Sequence, residues 1–295
     1  MAISIACVSG KGGVGKTTTC AALAGAFSEL GHRVLAIDVD PQSNLTSGLG
    51  LNPYQLQGTV ASLLVNPGTS PEAVTYATEW ERIWLIPASP DLSAVEAEMA
   101  TTVGRELRLR EALSRGAGVD RYDVVLFDTP PNFGFHTVSA LGATSWILVP
   151  LQMSGYAMKG LKEVLRTYHA ARERLNPDLR MLGLLPTFVN PRTRFSQQML
   201  EGLREIPGLH VFDTVIKVTV KLQETAMAGA PITAYARNSE VSHAYRNLAQ
   251  EIIGRVGPVP PPLGSCGVRC RLTACRTRPA RATSRGRTPR LPTSP

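Results

Sequence analysis

Short runs rich in Val, Ile and Leu alternate along the chain with longer stretches in which apolar residues recur every three to four positions. The short runs cover residues 3–8, 33–40, 83–87, 123–128, 145–150, 181–189 and 210–216. They are nearly continuous in apolar residues rather than alternating, which predicts strands buried on both faces. Helical spacing occupies 16–30, 91–115, 156–175, 194–205 and 239–254. In the first of these, Cys20, Leu23, Ala24, Phe27 and Leu30 share one stripe, and Gly31 stands where a cap belongs. Strand and helix in alternation predict an α/β fold, a mostly parallel twisted sheet with helices on both faces. No apolar run approaches the length of a membrane span.

The pattern stops after Gly254. Pro258 to Pro262 opens a stretch of Pro, Arg, Thr, Ser and Gly with few large apolar residues. Such a segment cannot bury enough apolar area to offset its ordering entropy, so residues 255–295 are expected to be a disordered tail behind a single domain over 1–254. Charge changes meaning with this division. Of the 31 basic residues, nine are arginines between Arg255 and Arg290, where no acidic residue occurs; the remaining 22 face 23 acidic residues. The body is about neutral, and the net charge of +8 does not by itself argue for a nucleic-acid-binding body. Cys266, Cys270 and Cys275 match no common zinc spacing, and Cys7 and Cys20 sit in apolar contexts. Without a disulfide framework, a reducing cytoplasm is the expected compartment.

Candidate chemistry gathers where the predicted strands end. Gly10-Lys11-Gly12-Gly13-Val14-Gly15-Lys16-Thr17 fits G-x-x-x-x-G-K-[ST], directly after one strand and opening one helix. Glycines let such a backbone wrap phosphates and aim its amides inward, while the positive end of the following helix favours the anion. Lys16 is expected to reach the β- and γ-phosphates, and the Thr17 hydroxyl to ligate Mg²⁺. Asp38 and Asp40 close the second predicted strand, and Asp128 closes an apolar strand where a Walker B carboxylate would hold Mg²⁺. Ligands bind at the carboxyl ends of strands in open parallel sheets, so these three carboxylates belong with the loop.

The run Lys11 to Thr18 resembles the deviant Walker A motif of the ParA/MinD group of P-loop ATPases, with Lys11 as that group's signature lysine. Asp38-Val39-Asp40-Pro41-Gln42-Ser43-Asn44, Asp128-Thr129-Pro130-Pro131, Val149-Pro150-Leu151-Gln152, Asn190-Pro191-Arg192-Thr193-Arg194 and the stretch 226–232 are similar to further ParA/Soj segments, in the same order. The resemblance runs from about residue 3 to 253 and implies a ParA/Soj-type partition ATPase. It implies that ATP and Mg²⁺ are bound by Lys11, Gly12, Gly13, Val14, Gly15, Lys16, Thr17 and Thr18, with Asn190 beside the adenine. Asp38 and Asp128 would serve the metal with Thr17, and Asp40 would orient the attacking water. ATP would close a homodimer in which Lys11 reaches the other copy's phosphates, making Lys11, Lys16 and Asp40 the catalytic set.

The resemblance further implies binding to DNA without sequence preference, with Arg192, Arg194, Lys217 and Lys221 as candidate contacts, and slow hydrolysis stimulated by a ParB-like activator. That machine would work in the cytoplasm on the nucleoid, segregating a chromosome or plasmid. The alternative is a ParA/MinD-type ATPase that positions a protein cargo or acts at a membrane. Stable membrane association is not expected, since the tail's prolines and scattered arginines do not make an amphipathic helix. An iron–sulfur relative would need cysteines beside the switch segments, and a tyrosine autokinase would need tyrosines after Tyr245. A nucleotide-gated binding module with negligible turnover stays open.

Overall fold

The computed structural model describes residues 2–115 and 118–257; the tail expected to be disordered lies outside the described residues from position 258 onward. The strands are β1 (Ile3–Cys7), β2 (Val34–Asp38), β3 (Tyr76–Ala77), β4 (Ile83–Ile86), β5 (Val124–Asp128), β6 (Trp146–Gln152), β7 (Arg180–Val189) and β8 (Ile216–Lys217). They form one sheet in the order β3-β4-β2-β5-β1-β6-β7-β8. Every neighbouring pair is parallel except β3 with β4. The helices are α1 (Lys16–Glu29), α2 (Asn44–Gly48), α3 (Val60–Val65), α4 (Leu92–Glu98), α5 (Arg108–Leu113), α6 (Phe135–Ala143), α7 (Ala157–Arg174), α8 (Arg194–Arg204), α9 (Lys221–Ala228), α10 (Ile232–Tyr235) and α11 (Glu240–Val256).

Side chains on successive strand positions leave opposite faces, and here both faces are buried. In β1, Ile5 and Cys7 join a core with Leu23 and Phe27 of α1 and Tyr245, Leu248 and Ile252 of α11. Ala6 and the following Val8 join the opposite core with Leu63, Leu109, Leu141, Leu161 and Val164 from α3, α5, α6 and α7. In β5, Val124 and Leu126 belong to the first core, Val125 and Phe127 to the second. This is why the strand sequences read as unbroken apolar runs.

Parallel pairing brings the strand C-termini to one edge. The register sets Cys7 beside Asp128 and Asp38 on Asp128's other side. The glycine-rich loop therefore departs from β1 level with both carboxylates.

Three expectations change. The helix expected over 91–115 is two helices, α4 and α5, separated by a turn in which Gly104 takes φ 72°. Two threonines and Val103 precede that glycine, and none of them favours helix. The strand expected over 210–216 shrinks to β8 and an isolated bridge from Val211 to Leu184. Glu251 of α11 explains the loss: its carboxylate accepts the amides of Asp213 and Thr214 at 3.0 Å each, and the Thr214 hydroxyl too. Those amides cannot then extend the ladder. β3 pairs antiparallel at the sheet edge and was not foreseen. Gly31 does end α1, with φ 91° and its amide on Ser28 O.

Candidate functional site

The loop from Val8 to Gly15 turns β1 into α1. Gly13 and Gly15 have φ 71° and 93°, a region costly for any residue with a Cβ. Gly15 caps α1 with no side-chain partner, so the first amides of the helix stay available to an anion. Thr187 Oγ1 at the end of β7 donates to Val14 O at 2.9 Å, and Thr129 Oγ1 donates to Cys7 O at 2.7 Å. The loop is thus tied to its neighbours on both sides. Above it lies a cavity of about 440 Å³ whose wall includes Gly12, Gly13, Lys16, Thr17, Thr18 and Asp40. Gln42, Pro131, Phe188 and Leu222 also line it.

Electrostatics beneath the cavity are those of a site waiting for an opposite charge. Lys16 is buried, and its ammonium donates to Lys11 O at 3.3 Å. Burial pulls its pKa below the ordinary lysine value, while Asp128 and Asp40 resist the shift. Asp128 is completely buried and neither carboxylate oxygen has a hydrogen-bond partner. Burial, then repulsion from Asp38, pushes its pKa well above the usual carboxylate range; the neighbouring Thr17 hydroxyl and Lys16 ammonium oppose that. An unpaired buried carboxylate is costly and native folds normally compensate it.

Asp38 differs in kind. Its Oδ2 accepts from the Thr46 amide at 2.9 Å and hydroxyl at 2.7 Å, and its Oδ1 from the Asp40 amide at 3.1 Å. Burial raises its pKa to about 6 against the pull of those bonds. These bonds hold Asp38 in place yet leave Oδ1 a further lone pair with which to serve a cation or its water. The arrangement makes it a pin for the Asp40 segment. Asp40 itself lines the cavity, with Oδ1 accepting from the Gln42 amide at 3.0 Å.

The residues present fit a nucleotide-bound divalent cation. Among the described residues no three His, Cys, Asp or Glu side chains converge into a metal cage. Magnesium in such sites takes one or two protein ligands and completes its shell with water and phosphate oxygens, which Thr17 and the unpartnered Asp128 can provide.

Other expected residues fall elsewhere. Lys11 is outside the cavity wall and donates to Gln152 Oε1 at 2.8 Å. Asn190 is exposed and off the cavity wall; its Oδ1 accepts the Arg192 amide at 3.1 Å, forming a local turn. Arg192, Arg194, Lys217 and Lys221 are all exposed, and Lys217 is ion-paired with Glu240. Val218 and Val220 between the two lysines, and Met227 on α9, are exposed apolar side chains.

The residue that sequence reasoning missed is Phe188. It adopts φ 53°, strained for a bulky side chain, at an irregularity in the β7–β8 pairing. Its ring approaches Gly15, where a Cβ would lie 3.9 Å away. It lines both the main cavity and an adjoining one of about 170 Å³ with Thr18, Ile216, Val220, Leu222 and Tyr245. The smaller space is chiefly apolar, suited to a flat ring next to the phosphate loop. Nothing in a Thr-Phe-Val run signals that backbone reversal.

A family model described as an AAA domain matches residues 2–181. The chromosome-partitioning ATPase Soj of Thermus thermophilus is 42% identical over 257 residues, covering 85% of this chain and 96% of that protein. The chromosome partitioning protein ParA of Myxococcus xanthus is 37% identical over 258 residues, covering 87% and 90%. Among solved structures, cobyrinic acid a,c-diamide synthase from Mycobacterium smegmatis, with bound ADP and magnesium, is 34% identical with a TM-score of 0.75, covering 88% of this chain and 99% of that one.

Proposed function

We propose a function from one premise: the chain belongs to the ParA/Soj family of P-loop ATPases. It acts as an ATP-timed dimerisation switch. The phosphates of ATP lie on the amides from Gly12 to Thr18, with Val14 holding the loop's shape from below. Lys16 neutralises the transferring phosphoryl group, and Asp40 orients the attacking water. Thr17 and Asp128 hold Mg²⁺ and Asp38 supports its shell, while also fixing the segment that carries Asp40. Magnesium, when bound, supplies neutralisation of phosphate charge. Such catalysis is positioning and electrostatic stabilisation more than covalent chemistry by the protein.

One observation carries this reading: Asp128, fully buried with two unpartnered oxygens, stands level with a glycine loop and a buried lysine. A fold that leaves a carboxylate in that condition is built for a cation brought by a ligand. Binding of an ATP analogue should therefore tighten at least tenfold when Mg²⁺ is added, read by calorimetry. Equal affinity with and without the metal would refute the assignment.

Two loaded chains close with Lys11 at the other copy's phosphates. The closed pair binds DNA without sequence preference through Arg192, Arg194, Lys217 and Lys221 in the nucleoid. A ParB-like activator then stimulates slow hydrolysis and resets the switch. Steady-state ATPase measured with DNA plus such an activator tests this. Stimulation by cobyrinic acid in place of DNA and activator would replace the reading with an acid-activating one. A protein cargo is a second reading, favoured by the Lys217–Glu240 pair and the exposed Val218, Val220 and Met227, which make the β8–α9 surface mixed rather than uniformly basic. DNA affinity that falls steeply with salt supports phosphate contacts, whereas a flat response supports the cargo reading. Among the described residues no helix is long and apolar enough to cross a membrane.

A further inference from the structure

Lys11 already has a partner within its own chain. Its Nζ donates a 2.8 Å hydrogen bond to Oε1 of Gln152, the last residue of β6. The main chain beneath it is held from several directions. The Lys11 amide donates to Ser9 Oγ at 3.4 Å, and the Lys11 carbonyl accepts from Lys16 Nζ at 3.3 Å. Gly10 is pressed against Phe133, so closely that a Cβ there would come within 2.6 Å of the ring; the Glu163 carboxylate lies beside it. With the backbone fixed at residues 10 and 11, the direction of the Lys11 side chain depends on its acceptor. That acceptor turns it toward β6, outside the wall formed by Gly12, Gly13, Gly15 and Lys16.

We propose that Gln152 is a latch for Lys11. In the single chain it holds the lysine on its own sheet, and closure of two loaded chains requires the Lys11–Gln152 bond to break. This rests on the reading of Lys11 as the group that reaches the other copy's phosphates. The chemistry gives the exchange a direction. Gln152 offers a neutral amide oxygen, whereas a triphosphate offers anionic oxygens, and hydrogen bonds to charged acceptors are the stronger. The lysine therefore stays latched until a second nucleotide-loaded chain presents a better acceptor. The latch bond is solvent-exposed, so it is of the modest kind, and losing it shifts the closing equilibrium by about twofold to tenfold.

The test is the dimer dissociation constant of the full chain with Mg²⁺ and a non-hydrolysable ATP analogue, from sedimentation velocity. Gln152→Leu keeps the size and removes the acceptor; Gln152→Ala removes both. Each should tighten the dimer by about twofold to tenfold. Gln152→Glu supplies an anionic acceptor in place of the neutral one and should loosen it by a similar factor. Tightening by Leu and Ala with loosening by Glu supports the latch. Leu and Ala variants that dimerise as the parent does, or more weakly, overturn it. A parent chain that dimerises while no variant moves overturns the latch alone. A parent chain that stays monomeric with the analogue overturns the dimer reading and the latch together.

Discussion

At the floor of the site Lys16, Asp38 and Asp128 are buried, and the elements that carry them are strands paired on both sides and the first turn of α1. At the rim all four residues are exposed: Lys11 and Asn190 lie on loops, Lys221 opens α9, and Phe188 sits near the end of β7 in a strained conformation. The floor stores its tension as charge: a desolvated carboxylate without a partner beneath a desolvated ammonium. The rim stores it as conformation: a left-handed phenylalanine and a lysine held by one exposed bond. Floor groups are already positioned for chemistry and cannot easily move. Rim groups can be rearranged at an energy comparable to one hydrogen bond, which is what a switch needs.

The largest effect should come from the floor. Lys16→Ala should lower ATP hydrolysis by at least about 100-fold, as expected when a charge-neutralising group is lost from a phosphoryl-transfer site. A steady-state rate within threefold of the parent would break the assignment.

Asp128→Asn should separate stability from activity. The nucleotide-free protein should become more stable by about 1–3 kcal/mol at neutral pH, since an unpaired buried charge is replaced by a neutral amide. Mg²⁺-dependent ATP hydrolysis should fall by about 100-fold. The sign with pH follows from the raised pKa of Asp128 in the folded chain. The unfolded chain releases its proton first, so the carboxylate destabilises the fold increasingly as pH rises above the unfolded value near 3.8. Below that value both states are protonated and the penalty vanishes. The stability gap between variant and parent should therefore widen from pH 4 upward. Asp38, with its pKa raised to about 6, destabilises the parent in the same direction up to that pH. Chemical denaturation at pH 4 and pH 7 reads both; a gap that narrows with rising pH would contradict the assignment.

Phe188→Gly carries the comparison to the rim. Glycine occupies φ 53° without strain, and the strain relieved is of the order of 1 kcal/mol. Stability should hold or rise, while nucleotide affinity drops about fivefold to tenfold as the ring over the smaller cavity is lost, at roughly 1 kcal/mol for one aromatic stacking contact. Unchanged affinity by calorimetry would leave the strain without a functional role. The smallest effect is expected from Lys221→Ala, which should weaken DNA binding about twofold to threefold and lower the salt slope by about one. Lys217→Ala should do less, because Glu240 already neutralises that lysine.

The floor was legible in the sequence and most of the rim was not. Gly10 to Thr17, Asp38, Asp40 and Asp128 are adjacent in space because each ends or follows a strand of a parallel sheet, and strand ends can be read from apolar runs. The helix break at Gly104 and the shortened strand near residue 213 could not be read the same way. Glu251 captures two amides from 37 and 38 positions away, and periodicity carries no information about such a competitor. Asn190 and Lys217 were legible as residue types, but the local turn and the ion pair that engage them in the single chain were not.

What the sequence determined by itself was the alternation that forces a doubly covered parallel sheet, and the loop whose glycines and lysine suit an anion at the start of α1. Local propensity and burial period are properties of short stretches, so they survive without knowledge of the fold. Only the tertiary structure decided that Asp128 is unpartnered while Asp38 is satisfied, although both close apolar strands and stand opposite each other in register. Only it decided that Lys11 faces Gln152 and that Phe188 reverses over the loop. Those outcomes depend on which donors and acceptors distant segments bring within about 3 Å, the range over which a hydrogen bond is made or missed.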